Sequence, residues 1–194
     1  MADPARRRAT YEDVLKAPDH CIAQVVDGEL HVHPRPASAH QAVASNLGGE
    51  LFQPFGRGRG GPGGWIILDE PEVHLNEHIV VPDLAGWRRE RMPVVENVPY
   101  FTLSPDWVCE IVSPSTARLD RVRKLPLYAR HGVRHVWIID PLARTLEVYR
   151  LEGQGWLLVS SHEQGERVRA EPFDAFELEL DVLWADIKPE QEPA

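Results

Sequence analysis

The sequence predicts a mixed α/β fold in which a central sheet carries helices on its flanks. Three observations predict it: short apolar runs bounded by turn residues, two longer segments with helical apolar spacing, and the interleaving of the two kinds along the chain. A length of 194 residues suits one compact domain, and a single domain over 1–194 is the expectation. No run approaches the roughly 18 to 20 uninterrupted apolar residues of a membrane helix, and charges stand where a signal peptide would have its apolar core. A cytoplasmic protein without a membrane partner is therefore expected.

Taken in order, an arginine run at residues 6–8 forms a frayed arm, and Thr10 with Asp13 three residues later marks a capped helix over residues 10–15. Residues 24–26 and 29–32 flank Asp27-Gly28, a strong hairpin signal. From residue 38 to 52, Ala42, Val43, Leu47 and Leu51 recur at helical spacing, with Ser38 as the expected N-cap. Residues 57–64 hold five glycines and one proline, a loop of the kind that can sit over a substrate. Strands are predicted at 65–68, 72–75, 79–84 and 107–112, with Asn76-Glu77-His78 as a turn. A helix over 116–131, capped by Gly132, leads into a buried strand at 136–139, and 145–149 with 156–159 makes a C-terminal β-hairpin. Residues 188–194 are expected to be a disordered tail.

A formal net charge of −9 opposes a nucleic-acid ligand, because phosphate binding goes with a basic surface. The charge is polarised, however: residues 118–135 hold six Lys/Arg against one acid, Asp120, while acids gather at 69–77, 163–181 and 186–192. A solvated charged helix is the plain alternative. Cys21 and Cys109 are too few for a disulfide framework and are expected to be small buried residues. Among nine histidines, neither His31 with His33 nor His74 with His78 completes a four-ligand zinc pattern.

Two acids interrupt apolar strands: Asp83 ends the run Ile79-Val80-Val81-Pro82, and Glu110 stands inside residues 108–112. A carboxylate among aliphatic residues needs a cation, a donor or a metal to offset its desolvation. On neighbouring strands and one face, the pair would supply the hard oxygens that suit Mg2+; ordinary strand-end acids are the alternative. Asp120 and Lys124 lie four residues apart on the following helix, either as a surface ion pair or as a cation beside the two acids.

Asp27-Gly28-Glu29-Leu30, Val81-Pro82-Asp83-Leu84, Cys109 to Ser115, Asp120, Lys124, Tyr128 and the segment from Gly132 to Pro141 together resemble the Uma-type restriction endonuclease family, over roughly residues 10–151. That family is similar to PD-(D/E)XK nucleases. The resemblance implies a restriction-endonuclease-like mixed sheet flanked by helices, here with an added N-terminal hairpin, and Mg2+-dependent hydrolysis of DNA phosphodiester bonds, with Mn2+ as a substitute ion. It implies Asp83 and Glu110 as catalytic metal ligands and Lys124 as the catalytic lysine, since Val112 stands two residues after Glu110 where the superfamily commonly has lysine. Glu29 matches a family acid that would be a third ligand or orient water, unless turn chemistry explains it. His40 matches a family histidine that would contact phosphate, a capping or packing role being the alternative. Arg118, Arg121 and Arg123 are expected to hold the DNA backbone, and a homodimer is compatible with the reading. Gln24 stands where relatives usually carry an acid, and Pro126 falls inside the second helix, where it is expected to kink it. Two rival functions stay open: a nuclease-fold module that binds nucleic acid or protein without cutting, and a metal-dependent hydrolase of a smaller phosphate ester.

Overall fold

A computed structural model describes residues 7–188; Arg6 of the expected arm and residues 189–194 of the expected tail lie outside them. The chain opens with a short helix, α1 (Tyr11–Val14), whose start is held by the Asp13 carboxylate accepting from the Thr10 N–H at 2.8 Å. The hairpin follows as β1 (Cys21–Val26) and β2 (Glu29–Pro34), with Asp27 and Gly28 both at positive φ, as a tight two-residue turn requires. The first long helix is α2 (Ser38–Leu51), with Ala37 rather than Ser38 at the N-cap. It runs into a π-helical turn at Phe52–Gly56.

The strands β3 (Trp65–Asp69), β4 (Val73–Leu75), β5 (His78–Val80), β6 (Leu84–Arg88) and β7 (Trp107–Ile111) come next. A second π turn, Leu119–Lys124, continues into α3 (Leu125–Arg130), followed by β8 (His135–Asp140), β9 (Thr145–Glu152) and β10 (Gly155–Glu163). Two short strands, β11 (Arg167–Val168) and β12 (Leu178–Glu179), and a helix α4 (Asp181–Trp184) close the described chain. The central sheet has six strands in the order β10-β9-β8-β7-β6-β3, with only the β7–β8 pair parallel. Beside it lies a four-stranded antiparallel sheet, β2-β1-β5-β4.

Alternation along β7 sorts its side chains between two cores. Trp107, Cys109 and Ile111 join Trp137 and Ile139 under α2 and α4, where Phe173 packs against Trp65, Trp107 and Trp137. Val108 and Val112 face the other way, with Val136 and Ile138, and are covered by Leu119, Leu125, Leu127 and Tyr128 of the helical segment and by Val26 and Val80 of the smaller sheet. Glu110 belongs to this second face, and nothing else in β7 is charged.

The expected strand at 79–84 is divided. The chain leaves the smaller sheet after Val80, crosses at Val81-Pro82-Asp83 and enters the central sheet at Leu84, because Pro82 has no N–H to give to a ladder. His78, expected in a turn, is the first residue of β5. Pro126 stands at the second position of α3, directly after the π turn. The preceding turn is widened, so that the Leu125 N–H donates to the Asp120 carbonyl five residues back, and the proline ring is met by a looser turn.

Gly86 shows why a small residue stands in mid-strand. A Cβ there would lie 3.1 Å from Trp107 Cε3 and 3.2 Å from Trp65 Cε3, tighter than ordinary contact. Gly86→Ala is expected to lower unfolding free energy by about 1–3 kcal/mol through overpacking, read from urea denaturation; an unchanged midpoint would mean that the two indoles yield freely.

Candidate active site

Three elements converge on Glu110. The pairing of β6 with β7 sets Leu84 opposite Cys109 and Ala85 opposite Val108, and continuing that register by one pair sets Asp83 opposite Glu110. Asp83 is held from two sides: its Oδ2 accepts from the Ile111 N–H at 2.6 Å, and its Oδ1 lies 3.2 Å from His40 Nε2 on α2. Glu110 is 2% exposed, and both its oxygens accept from Lys124 Nζ at 3.0 Å. The Tyr128 hydroxyl donates to Glu110 Oε1 at 2.5 Å, and Asp120 Oδ1 lies 3.2 Å from Lys124 Nζ.

The Asp120–Lys124 pair is therefore not on the surface, since both side chains are buried with Glu110. Burial pushes the Glu110 carboxyl well up from the usual carboxylate range, against the pull of the Lys124 ammonium. Burial alone would lower Lys124, but Glu110, Asp120 and Asp83 outweigh it and raise its pKa. At His40, burial lowers the pKa and the hydrogen bond and charge of Asp83 more than restore it, so the net shift is upward. Three carboxylates thus surround one ammonium and one imidazole. The hard oxygen donors of Asp83 and Glu110 fit a divalent ion of the Mg2+ type, which is usually held by one or two carboxylates and keeps several waters, and whose charge would favour the ionised Glu110 that burial disfavours. Among the described residues there is no group of three or more His, Cys, Asp or Glu side chains that could hold a metal ion by itself.

These groups lie at the bottom of a cavity of about 390 Å³, bordered by the end of β2 and by residues 113–116. Of the expected residues, Asp83, Glu110, Lys124 and His40 line it together. Glu29 does not. It is the first residue of β2, exposed, on the strand face shared with His31 and His33, of which His33 reaches the cavity. Arg118 is exposed and makes no ion pair among the described residues, whereas Arg121 is paired with Glu147 and Arg123 lies 3.6 Å from Asp27. The glycine-rich segment at 57–64 lies beside β3, tied through the Arg89 N–H to the Gly64 carbonyl, away from the cavity lining. Arg35 and Thr116 at the rim were not singled out from sequence, and His33 was weighed there only as a zinc ligand; no local pattern marks them for this cavity, whose lining draws on both the end of β2 and the residues after β7.

Gln24 has a role of its own. Its side chain is buried in the cavity wall, and its Oε1 accepts from the Val81 N–H at 2.9 Å, where the chain has just left the smaller sheet. The amide carbonyl thereby replaces a lost ladder partner and fixes the segment that carries Asp83.

The family Uma2, described as "Putative restriction endonuclease", matches residues 9–183. A solved structure of a "putative nuclease" from Anabaena variabilis is similar over 91% of this chain and 98% of that one, with a TM-score of 0.71 and 23% identity. At that identity the likeness establishes a shared fold. Among curated proteins, none matches the sequence.

Gln24→Ala would leave the buried Val81 N–H without its acceptor, and a loss of about 1–3 kcal/mol is expected. Gln24→Met, which keeps the length of the side chain and lacks the acceptor, should lose nearly as much. Unchanged thermal or urea unfolding in both variants would show that the carbonyl does not anchor the crossing segment.

Proposed function

The chain belongs to the Uma2 family, and on that premise we propose that it is a Mg2+-dependent endonuclease that hydrolyses phosphodiester bonds of DNA. The observation that supports this most directly is the buried trio of Glu110, Asp120 and Lys124 with the partly buried Asp83 beside it, at the bottom of an open cavity. Asp83 and Glu110 would hold the ion. When bound it would supply a Lewis acid that offsets phosphate charge and acidifies water.

The remaining work falls to side chains. His40 and the Ile111 N–H fix both oxygens of Asp83, so its carboxylate presents one orientation to the cavity. Tyr128 and Lys124 do the same for Glu110. Lys124 is a compact cation with three donors. Asp120 keeps it against Glu110, where it can orient a water and stabilise charge that develops on the phosphate. Arg118, exposed at the start of the helical segment, is the arginine best placed to meet a backbone phosphate. Arg121 and Arg123 would first have to exchange Glu147 and Asp27 for DNA.

A second reading, a fold-retaining module that binds without cutting, is favoured by the neutral Gln24 in the cavity wall and by the ion pairs that occupy Arg121 and Arg123.

Calorimetry should detect Mg2+ or Mn2+ binding that Asp83→Asn and Glu110→Gln each abolish, and supercoiled DNA should be nicked with either ion and spared in chelator. Metal binding that persists in both variants would remove the assigned ligands.

Lys124→Met separates the enzyme from the binding module. Single-turnover cleavage is expected to fall by about 10²–10³-fold while DNA affinity holds within a few-fold, since the loss lies in the transition state. Because the lysine is buried between two acids, unfolding free energy should also fall, by about 3–5 kcal/mol, so rates are compared at a temperature where circular dichroism shows the variant folded. A wild-type rate in folded Lys124→Met would refute the catalytic role.

A further inference from the structure

Resting on the nuclease reading for the kind of polyanion, we propose that a second cavity, at the other end of α2 from Asp83, holds a backbone phosphate of DNA with Arg57 and Arg89 as donors. The glycine-rich residues 57–64 have the composition of a loop over a substrate, yet they lie away from the cavity of Asp83 and Glu110. They border instead a hollow lined by Arg57, Arg89, Phe52, Pro93, Val94 and Val95 beside the edge strand β3. Among the described residues no acid lines it.

The loop is built into place. The Arg59 N–H donates to the Gln53 carbonyl at 2.9 Å, and the Gly63 N–H to the Pro54 carbonyl at 2.8 Å. Gly61 approaches the π turn so closely that a Cβ would stand 2.5 Å from Pro54 Cβ. The Arg57 guanidinium sits over the Phe52 ring, 5.0 Å from its centroid, and Arg89 Nη1 donates to the Pro93 carbonyl at 3.3 Å. These contacts aim both side chains and leave further N–H donors on each. Residues 57–64 and 88–91 together hold five arginines and one acid, Glu90. Of the five, all exposed, only Arg91 has an ion pair among the described residues, with Asp106 at 2.8 Å. A guanidinium without a carboxylate partner, next to apolar surface, suits a phosphate with its sugar.

Two elements measure the separation from the reacting acids. α2 carries His40 into the first cavity and leads to Phe52 at the second, about 18 Å away at 1.5 Å per residue. β6 starts directly after Asp83 and ends directly before Arg89, about 20 Å of extended chain. One strand of B-DNA advances about 3.4 Å per nucleotide, so a strand seated at Asp83 meets the arginines about five or six nucleotides from the scissile phosphate. Asp69 and Glu70 stand at the active-site end of β3, so attraction along this edge comes from the arginine end. At that distance Arg57 and Arg89 touch no reacting atom. They position the substrate, and their loss is felt in binding rather than in the chemical step.

The test compares the whole chain with the double variants Arg57→Ala/Arg89→Ala and Arg57→Lys/Arg89→Lys, each confirmed as folded by circular dichroism. The probe is a labelled DNA duplex of about 20 base pairs, longer than the separation requires. Binding is read by anisotropy in chelator over a range of salt, and single-turnover cleavage with Mg2+ or Mn2+ at saturating protein. The alanine pair is expected to bind about tenfold more weakly, with a salt slope shallower by about 1.8, from two contacts at about 0.9 each. The lysine pair should restore the slope, and cleavage of bound DNA should stay within about twofold of wild type in both. Unchanged affinity and slope in the alanine pair overturn the inference and leave the nuclease reading in place. Weaker binding with an unchanged slope, or a slope that lysine does not restore, also overturns it, since no phosphate is then held there. So does a cleavage rate at saturation that falls as far as the affinity. The expected loss in binding with no cleavage by wild type under either ion sustains the inference and overturns the nuclease reading. No binding of DNA by wild type overturns the inference.

Discussion

Glu110 is the fourth residue of a strand whose five residues are all buried, and the cost of holding its charge there shapes the parts around it. An isolated carboxylate in such a place would simply take up a proton. A lysine on the same strand face could have compensated it, but the position two residues on is Val112, which the apolar core on that face uses. The cation therefore comes from the next helix. Lys124 reaches back to both glutamate oxygens, Asp120 steadies it from four residues earlier, and Tyr128 adds a hydroxyl. That these three residues share a helical segment interrupted by Pro126 explains the widened turn: the segment must be looser there and still present all three inward.

The second constraint is the passage from one sheet to the other. Asp83 is placed by a three-residue segment that belongs to neither ladder, and such a segment would wander unless its backbone groups were satisfied elsewhere. Gln24 takes the Val81 N–H, and the Asp83 carbonyl accepts from the Glu70 N–H at 2.9 Å. A neutral side chain at position 24 thus has a structural reason to be present. It supplies an acceptor to the crossing segment without adding a fourth carboxylate to a pocket that already holds three.

Much of this was legible in sequence where the signal is local. The Asp27-Gly28 hairpin, the helix over 38–51, the strand around Glu110 and the strands after Gly132 all follow from turn chemistry and apolar spacing, and the structure has them within a few residues. The break at Val81 to Asp83 was not, because Leu84 and Ala85 prolong the apolar run and only the three-dimensional path shows that they pair with another sheet. The pairs β11 and β12 are too short to carry a period. Depth was also invisible: Asp120 and Lys124 have the spacing of a surface ion pair, and only the packing of Leu119, Leu125 and Tyr128 turns that face inward. Likewise the acids that meet Arg121 and Arg123 lie far off in the chain, at Glu147 and Asp27.

That last point changes what the basic segment can do. Read along the chain, six cations against one acid make a surface for phosphate. In the folded protein Lys124 is taken up inside by Glu110 and Asp120, Arg121 meets Glu147, and Arg123 and Arg130 share Asp27, while Arg118 and Arg134 are exposed and have no ion pair among the described residues. The segment thus keeps part of its positive charge at the surface of a protein whose formal net charge is −9, a local patch rather than a broad field. On the proposed function, phosphate contacts would come from this patch, and the divalent ion would sit between Asp83 and Glu110 within the cavity.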